Sequence, residues 1–161
     1  AMAAVPPGSD GLRFWPHLVR LAGSEAAVQE GGRIRGITLA HGPDHLLRAA
    51  VEGLACELAR HFQALAGGGH AVRRVLLSGG AASSRVTPQI LADVTGQPVA
   101  AVSEPAVSAF GAALLARAMV DPDAGLAHLA ERLALPRETF LPGLHAALYH
   151  ELLEQYLAGL R

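Results

Sequence analysis

Apolar residues recur at steps of three and four over 43–65, which is the spacing of an amphipathic helix. Pro43 suits a first helical position, Asp44 suits the first turn, and the glycines at 67–69 indicate a stop. The apolar stripe consists of Leu47, Val51, Leu54, Leu58, Phe62 and Leu65. We therefore predict one long helix from Pro43 to about Leu65.

Shorter apolar runs on both sides of this helix predict strands. These runs are rich in branched or aromatic residues and are bounded by glycine, proline or polar residues. Four strands are expected, at 12–18, 33–39, 74–78 and 99–102. Residues 22–32, which are mostly small, are expected to form a loop.

Helices are predicted between and after the last two strands, over Pro88–Val94 and Pro105–Met119. The order strand, helix, strand, helix from 74 to 119 favours a parallel strand pair with a right-handed crossover, hence an α/β domain. The second of these helices has an unusually thin face, made by Ala109, Gly111, Ala112 and Ala113. Such a face implies close approach of another backbone or of a ligand.

The rest of the chain is predicted to be helical, over 124–133 and 144–160. Tyr149, Leu152, Leu153, Tyr156 and Leu160 recur at helical spacing, which we interpret as a packing stripe.

The turn after the third strand is the candidate ligand site. Val75–Leu77 breaks abruptly into Gly79 and Gly80, where the main chain is free to take unusual conformations and a flat ligand can approach it. Ser83 and Ser84 follow, and either can cap the next helix or bond a ligand. Ligands of α/β sheets lie beyond the carboxyl ends of strands, so we expect a nucleotide here. A plain connection between strand and helix is the alternative.

Composition narrows the class of protein. The 161 residues suit one domain, and the net charge of −1, without a long Lys/Arg cluster, argues against nucleic acid or an anionic membrane as partner. No apolar run is long enough to span a bilayer, so a soluble protein is expected. One cysteine, Cys56, excludes an intramolecular disulfide, and without a visible leader the cytoplasm is the predicted compartment. Residues 1–11 are interpreted as a linker that begins with a cloning remnant.

Reactive groups are scarce. His41 and His45 are four residues apart, but His41 lies at or before the helix cap, so the two need not share a face, and His145 and His150 lie off one face. No carboxylate or Cys completes either pair, so capping or exposed histidines are predicted. Cys56 lies among apolar residues and is expected to be an inert buried thiol. Phosphoryl transfer needs a base, phosphate donors and a metal site. We assign no catalytic residue and no metal ligand to this chain.

Two segments nevertheless carry a recognisable motif. Residues 32–37 (GRIRGI), a gap of seven, and residues 45–52 (HLLRAAVE) resemble, position by position, a signature of the FGGY carbohydrate kinases. Further segments resemble the same family, especially its xylulokinase-like branch, at 6–12, 76–81, 89–93, 104–113 and 138–156. The resemblance extends over nearly the whole chain, but only to the later part of the family's second domain.

The resemblance implies a fold and a chemistry. It implies a partial ribonuclease H-like (actin-like ATPase) domain, with a short mixed sheet flanked by helices and a helical tail over 12–161. The family transfers the γ-phosphate of ATP to a sugar or polyol hydroxyl with Mg²⁺. Its adenosine site falls by motif position on Gly80, with Gly79 and Ala81 beside it, and on Ser84.

The sequence also departs from the family pattern. The catalytic aspartate, the early phosphate-binding segments and the sugar contacts of the family lie upstream of these residues, so none is carried over. Residues 21–27 lack the Arg and Pro of a Gly-Glu-Arg-x-Pro-like loop, and Ser84 stands where asparagine is common.

Two functions remain as hypotheses. The first is the ATP-side portion of a sugar or polyol kinase, silent by itself and completed by an N-terminal kinase domain. The second is a non-catalytic interaction module that pairs with itself as a homodimer or with a separate partner; a truncated protein, a split gene or a decayed paralogue would each fit.

Overall fold

A computed structural model describes residues 2–18, 31–102, 104, 106–121, 125–132 and 135–160. The loop predicted at 22–32 lies outside these residues, apart from its last two positions. The described part contains the strands β1 (Arg13–Trp15), β2 (Arg33–Arg35), β3 (Val75–Leu77), β4 (Val99–Val102) and β5 (Arg137–Phe140). It also contains the helices α1 (Pro43–Gly67), α2 (Val86–Thr95), α3 (Val107–Val120), α4 (Leu126–Arg132) and α5 (Ala146–Ala158).

These strands form two small sheets. β1 and β2 pair antiparallel, with Phe14 opposite Ile34. In the second sheet the order is β3, β4, β5: β3 runs parallel to β4, whereas β4 and β5 are antiparallel. The predicted parallel pair and the predicted short mixed sheet are both confirmed.

The strand β5 corrects one prediction. We expected only helices after residue 119, but residues 137–140 pair with β4, where Phe140 lies opposite Val99. Pro136 and Pro142 flank this run, and the five residues between these two prolines are too few for a stable helix. Thr139 and Phe140 are residue types that favour strands, so the edge of β4 captures the segment.

The long helix has the predicted ends. Gly42 is the N-cap, Pro43 is the first helical residue, and the helix stops at Gly67. Gly68 caps the carboxyl end, and Gly69 follows with φ of +86°. Proline at the start and glycine at the end therefore determine the length of α1.

Within the apolar stripe of α1, Val51 and Leu58 pack against the core, but the stripe does not form the buried face of the helix. Leu47, Leu54 and Leu65 are about half exposed, at 54%, 56% and 47%. The face that packs on β1, α2 and α5 consists mainly of small residues, with a polar pair among them. Its buried residues are Arg48, Ala49, Glu52, Gly53, Ala55, Cys56 and Ala59. Small side chains allow a close approach, and at Gly53 the backbone of Phe14 fills the space that a Cβ would need.

The core lies between α1, α2, α5 and the second sheet. All four residues of β4 are buried, and Ile90 on α2 is 2% exposed. Tyr149, Leu152, Leu153 and Tyr156 are all buried in this core, which confirms the predicted packing stripe of α5.

The leading residues of the described part, 2–15, pack against this core. Residues 9–11 form a short 3-10 turn, and Ser9 and Leu12 are fully buried. Ser9 and Asp10 have φ of 49° and 51°, which is a left-handed turn at two residues other than glycine. The segment that we interpreted as a linker thus makes ordered contacts, while the domain boundary at residue 11 stays a prediction.

Candidate functional site

The glycine turn connects β3 to α2 by a sharp change of direction. Gly79 has φ of 75° and ψ of −158°, a conformation that is essentially restricted to glycine. A 3-10 turn over Gly80–Ser83 follows, closed by a hydrogen bond of 3.0 Å from the Ala82 amide to the Gly79 carbonyl. Glycine is therefore required at 79 for the chain to turn.

Both glycines of the turn face open space. A Cβ placed on Gly79 or on Gly80 would meet no heavy atom within 4 Å, and Gly80 and Ala81 are exposed. A flat ligand can therefore reach the main chain here without displacing any side chain.

Ser84 ends the turn and caps α2. Its Oγ accepts hydrogen bonds from the amides of Val86 and Thr87, both at 3.2 Å. The capping role predicted for this pair of serines is confirmed at Ser84. The cap fixes its side chain relative to the glycines, so the four predicted site residues Gly79, Gly80, Ala81 and Ser84 belong to one continuous turn.

The turn lies at the carboxyl edge of the sheet. Because β3 and β4 are parallel, the residues that follow Leu77 and those that follow Val102 leave the sheet at the same edge. Helix α3 begins shortly after β4, at Val107, and none of its residues is buried. A Cβ on Gly111 would meet nothing within 4 Å. A ligand on the thin face of α3 stays a prediction.

An open cleft lies at the carboxyl end of α2, opposite to the glycine turn. Its volume is about 480 Å³, and it is bounded by the second half of α1, the last residues of α2 and the first half of α5. Phe62, Val94 and Leu153 contribute to a mainly apolar lining. Because α2 runs from the glycine turn to this cleft, the cleft is separate from the candidate site.

A buried polar cluster lies beneath the leading residues. Arg48 Nε donates to Glu52 Oε1 at 2.9 Å, and the Tyr149 hydroxyl donates to the same oxygen at 2.7 Å. Gly8 N and Ser9 Oγ donate to the two carboxylate oxygens of Glu52, each at 2.9 Å. Arg48 and Glu52 are 6% and 7% exposed. Four donors thus satisfy one buried carboxylate, as burial of a charge requires.

This cluster connects distant parts of the chain. Arg48 also donates to the Val5 carbonyl at 2.8 Å and to the Tyr149 hydroxyl at 2.9 Å. Burial raises the pKa of Tyr149, and the negative charge of Glu52 raises it further, so the phenol stays protonated and can donate. This role of Arg48, Glu52 and Tyr149 was not predicted from the sequence. The available signal was an Arg–Glu pair four residues apart on a helix face otherwise made of small residues.

A second carboxylate on α1 has several partners. Glu57 accepts from Arg60, whose Nη2 lies 2.6 Å from Oε1, and from the Tyr156 hydroxyl at 3.0 Å. His17 Nε2 lies 3.3 Å from Oε2. Burial by itself raises the pKa of Glu57, but the hydrogen bonds from Arg60 and Tyr156 outweigh it and hold that pKa at about 2. The carboxylate therefore links α1 to α5 and to His17, which follows β1.

The histidines at the start of α1 lie beside a carboxylate. The rings of His41 and His45 come together, with centroids 5.3 Å apart, and the Asp10 carboxylate joins them at 3.1 Å from His45 Nε2. The Nδ1 atoms accept from the amides of Thr38 and Gly42, at 2.9 and 3.2 Å. His45 is thus a capping residue, as predicted, and the Asp10 carboxylate is its hydrogen-bond partner. The left-handed turn at Asp10, far away in sequence, brings it there.

Metal ligands are not grouped in the described ranges. Across residues 2–18, 31–102, 104, 106–121, 125–132 and 135–160, no three His, Cys, Asp or Glu side chains could hold a metal ion together.

Cys56 is buried and unpaired, in agreement with the prediction of an inert thiol. Burial raises the pKa of Cys56 to about 12, and the nearby Glu52 charge acts in the same direction. The reactive thiolate is therefore almost absent at neutral pH.

Comparison with known proteins places this chain in one class, the carbohydrate kinases. The family model described as FGGY family of carbohydrate kinases, C-terminal domain, matches residues 1–120. The chain therefore belongs to the FGGY family, as the motifs at 32–37 and 45–52 predicted.

Individual relatives agree with this assignment. The chain is 36% identical over 115 residues to gluconokinase of Bacillus subtilis, covering 69% of this chain and 22% of the relative. It is 32% identical over 166 residues to glycerol kinase of Leptothrix cholodnii, covering 100% of this chain and 33% of the relative. The chain thus spans a third or less of the length of these two curated relatives.

A solved structure supports the same fold. The crystal structure of xylulose kinase from Rhodospirillum rubrum superposes with a TM-score of 0.75 at 33% identity, over 98% of this chain and 31% of that one. The chain is thus part of an actin-like domain, the mixed α/β fold predicted from the sequence.

No helix of the described ranges is both long and apolar enough to cross a bilayer.

Proposed function

We propose that this chain is the nucleotide-side portion of an ATP-dependent carbohydrate kinase that phosphorylates a hydroxyl of a sugar or polyol, such as a xylulose-like substrate. The relatives are named gluconokinase, xylulose kinase and glycerol kinase, which supports this substrate class. The chain by itself is catalytically silent. The base and the sugar contacts come from an N-terminal kinase domain outside the sequence described.

Adenosine of ATP or ADP binds at Gly79, Gly80, Ala81 and Ser84. The observation that carries this proposal is the open main chain at Gly79 and Gly80, at the carboxyl edge of a parallel strand pair. The turn binds and orients the nucleoside. When bound in the complete enzyme, ATP supplies the phosphoryl group, and Mg²⁺ is held by groups outside the described ranges of this chain.

Titration calorimetry with ADP tests this site. Wild-type chain is expected to bind weakly and saturably, and Gly80→Arg to abolish binding, because an arginine would occupy the open space over the turn. Gly67→Arg is the matched control: it also lies in open space, but at the end of α1. Equal ADP binding by all three folded proteins would place the nucleotide elsewhere and contradict the proposed site.

A second function is favoured by exposed apolar surface. In the described part of the second sheet, β3 pairs with β4 on one side only, and Leu76 is 62% exposed. Leu47, Leu54 and Leu65 are exposed on α1. An open strand edge and apolar side chains are features of a surface that pairs with another chain.

Two partners suit this surface, namely the N-terminal kinase domain or a second copy of the chain. Sedimentation velocity distinguishes them. A homodimer predicts self-association at high concentration that Leu47→Lys with Leu54→Lys abolishes, whereas a monomer throughout argues against the homodimer. The cytoplasm stays the predicted compartment, on the composition given above.

A further inference from the structure

A buried carboxylate lies in the wall of the open cleft at the carboxyl end of α2. Asp93 is 4% exposed and belongs to the lining of this cleft of about 480 Å³. Its Oδ1 accepts hydrogen bonds from Gln89 Nε2 at 2.9 Å and from the Gly143 amide at 2.6 Å. Its Oδ2 accepts no hydrogen bond from the residues that the structure describes. One oxygen of a buried carboxylate is therefore left for another donor.

The free oxygen lies on the cleft side of this carboxylate. Gln89 and Gly143, which bond Oδ1, are not among the described residues that line the cleft, whereas Asp93 is. Within the described residues, His17 Nε2 is the one fully buried side-chain polar atom without a hydrogen bond. Asp93 Oδ2 is therefore not sealed inside the core, and a molecule in the cleft can reach it.

The electrostatics of the cleft favour a cation. Asp93 is the one acidic residue among the described residues that line it, and none of these is an arginine. Thr95 and Gly96 at the end of α2, and Ala66 in the last turn of α1, also line the cleft. The carboxyl ends of two helices, which carry partial negative charge, thus lie beside the carboxylate. The amino end of α5, at Ala146, acts in the opposite sense, but it is one helix end against two and a carboxylate.

The remaining lining suits an apolar group. Phe62, Val94 and Leu153 present aromatic and aliphatic carbon to the cleft. A volume of about 480 Å³ is in the range of small-molecule sites, which combine an apolar lining with a few polar groups that fix orientation. The ring of Phe62 can also contact a second aromatic ring. The complementary molecule therefore has an apolar body and a single positively charged donor.

We propose that this cleft is a second small-molecule site, which binds an organic cation with an apolar body, such as an arylalkylammonium, and pairs its ammonium group with Asp93 Oδ2. The charge-assisted hydrogen bond to a buried carboxylate supplies the selectivity, and the apolar lining supplies the contact area. The site is separate from the glycine turn, so it does not depend on the proposed nucleotide function.

Three probes with one apolar body and different head groups test this charge preference. At neutral pH phenethylamine is a cation, 2-phenylethanol is uncharged and 3-phenylpropanoate is an anion. Each is titrated into the full chain up to about 10 mM, which detects millimolar dissociation constants, while the amide resonances of residues 62–66 and 93–97 are followed by NMR. Phenethylamine should bind at least about fivefold more tightly than 2-phenylethanol, with 3-phenylpropanoate weakest.

A variant of Asp93 identifies the group responsible. Asp93→Asn removes the charge but keeps an Oδ1 acceptor for Gln89 and Gly143, so the preference for phenethylamine over 2-phenylethanol should disappear. Asp121→Asn is the matched control, because it removes a carboxylate at the end of α3, outside the described lining, and should leave the preference unchanged.

Salt provides a second measurement that needs no variant. If Asp93→Asn does not fold, the three titrations of wild-type chain are repeated in about 0.5 M NaCl. Screening should weaken the binding of phenethylamine and reduce its advantage over 2-phenylethanol, because only the cation is attracted by charge. An advantage that does not change with salt would contradict the pairing with Asp93.

Several outcomes would overturn the inference. These are equal binding of phenethylamine and 2-phenylethanol, tighter binding of 3-phenylpropanoate, an unchanged preference in folded Asp93→Asn, and no shift of the cleft amides with any probe. A dilution series of the chain alone tests the other occupant. Shifts of the cleft amides on dilution would place a second copy of the chain in the cleft, which also contradicts a small-molecule site.

Discussion

The hydroxyl of Tyr149 donates a hydrogen bond of 2.7 Å to the carboxylate of Glu52, although 97 residues separate the two in the chain. The same hydroxyl accepts from Arg48 at 2.9 Å. One oxygen atom of α5 thus bonds both charges of a buried ion pair on α1. Loss of this atom should therefore destabilise the folded chain.

Replacing Tyr149 by phenylalanine removes that atom alone. Because hydrogen bonds to charged groups are stronger than neutral ones, Tyr149→Phe should lower the free energy of unfolding by about 1.5 to 3 kcal/mol. Urea denaturation measures this loss. Tyr156→Phe is the matched control, since its hydroxyl bonds only the partly buried Glu57, and it should cost less. Equal losses of unfolding free energy in the two variants would show that the buried cluster contributes no more to stability than the Tyr156–Glu57 hydrogen bond.

Removing one charge of the buried pair should be worse than removing both. Glu52→Leu leaves the Arg48 guanidinium buried without its counter-charge and should cost about 3 to 5 kcal/mol. Arg48→Met combined with Glu52→Leu removes the orphaned charge, so the double variant should be less destabilised than the sum of its single variants. A double-mutant cycle by urea denaturation measures the coupling, and strict additivity would contradict it.

Acid should weaken the contact between α1 and α5 through Glu57. The pKa of Glu57 is lowered from 4.5 to about 2 in the folded chain, so its ionised form stabilises the fold above about pH 4.5. That stabilisation is lost as the pH falls from about 4.5 towards 2, because the unfolded chain takes up the proton first.

Unfolding midpoints in urea across this pH range measure the effect. Glu57→Gln should be less stable than wild type at neutral pH and should lose less stability on acidification. Glu154→Gln is the control, because Glu154 is 72% exposed and its replacement should leave the acid dependence unchanged. A Glu57→Gln profile parallel to wild type would contradict the assignment.

The two glycines of the turn should respond differently to alanine. Gly79 has φ of 75° and ψ of −158°, so Gly79→Ala should destabilise the fold by about 1 to 3 kcal/mol through backbone strain. Gly80 lacks a positive φ, and its Cβ would meet nothing within 4 Å, so Gly80→Ala should be close to neutral. Thermal unfolding of both variants tests the pair, and a larger loss at Gly80 would be inconsistent with this geometry.

The thiol of Cys56 should be protected until the chain unfolds. Its pKa of about 12 and its burial predict very slow reaction with a disulfide reagent at pH 7. In denaturant the single thiol should react rapidly and stoichiometrically, which provides the internal control. Rapid labelling of folded chain would mean that α1 and α5 separate readily.

The sequence was sufficient where the determinants are local. Pro43 and Gly67 delimit α1 because proline and glycine act on their own backbone, and the apolar run Val99–Val102 is a buried strand in the structure. The cap by Ser84 is also local, because its acceptor serves amides two and three residues later.

The sequence was insufficient where a partner lies far along the chain. Strand β5 forms because the edge of β4, about forty residues earlier, offers unpaired backbone groups, and no periodicity in four residues reports that. The side of α1 that is buried was missed for a related reason. Apolar spacing identifies an apolar stripe, but close packing here selects small residues around Arg48 and Glu52. The buried position of Arg48 and Glu52 is explained by Tyr149, whose hydroxyl bonds both of them.

The contacts that join α5 to the leading residues also have a consequence for biosynthesis. Trp15 Nε1 donates to the Tyr156 carbonyl, 141 residues away, and its ring stacks on that of Tyr156 at 5.7 Å. During translation, β1 therefore emerges from the ribosome long before α5. Until α5 has been made, the aromatic surface of Trp15 that stacks on Tyr156 stays exposed in the nascent chain. Contacts of such sequence separation slow folding. We therefore expect this region to be the stretch that a chaperone protects during translation, until α5 has been made.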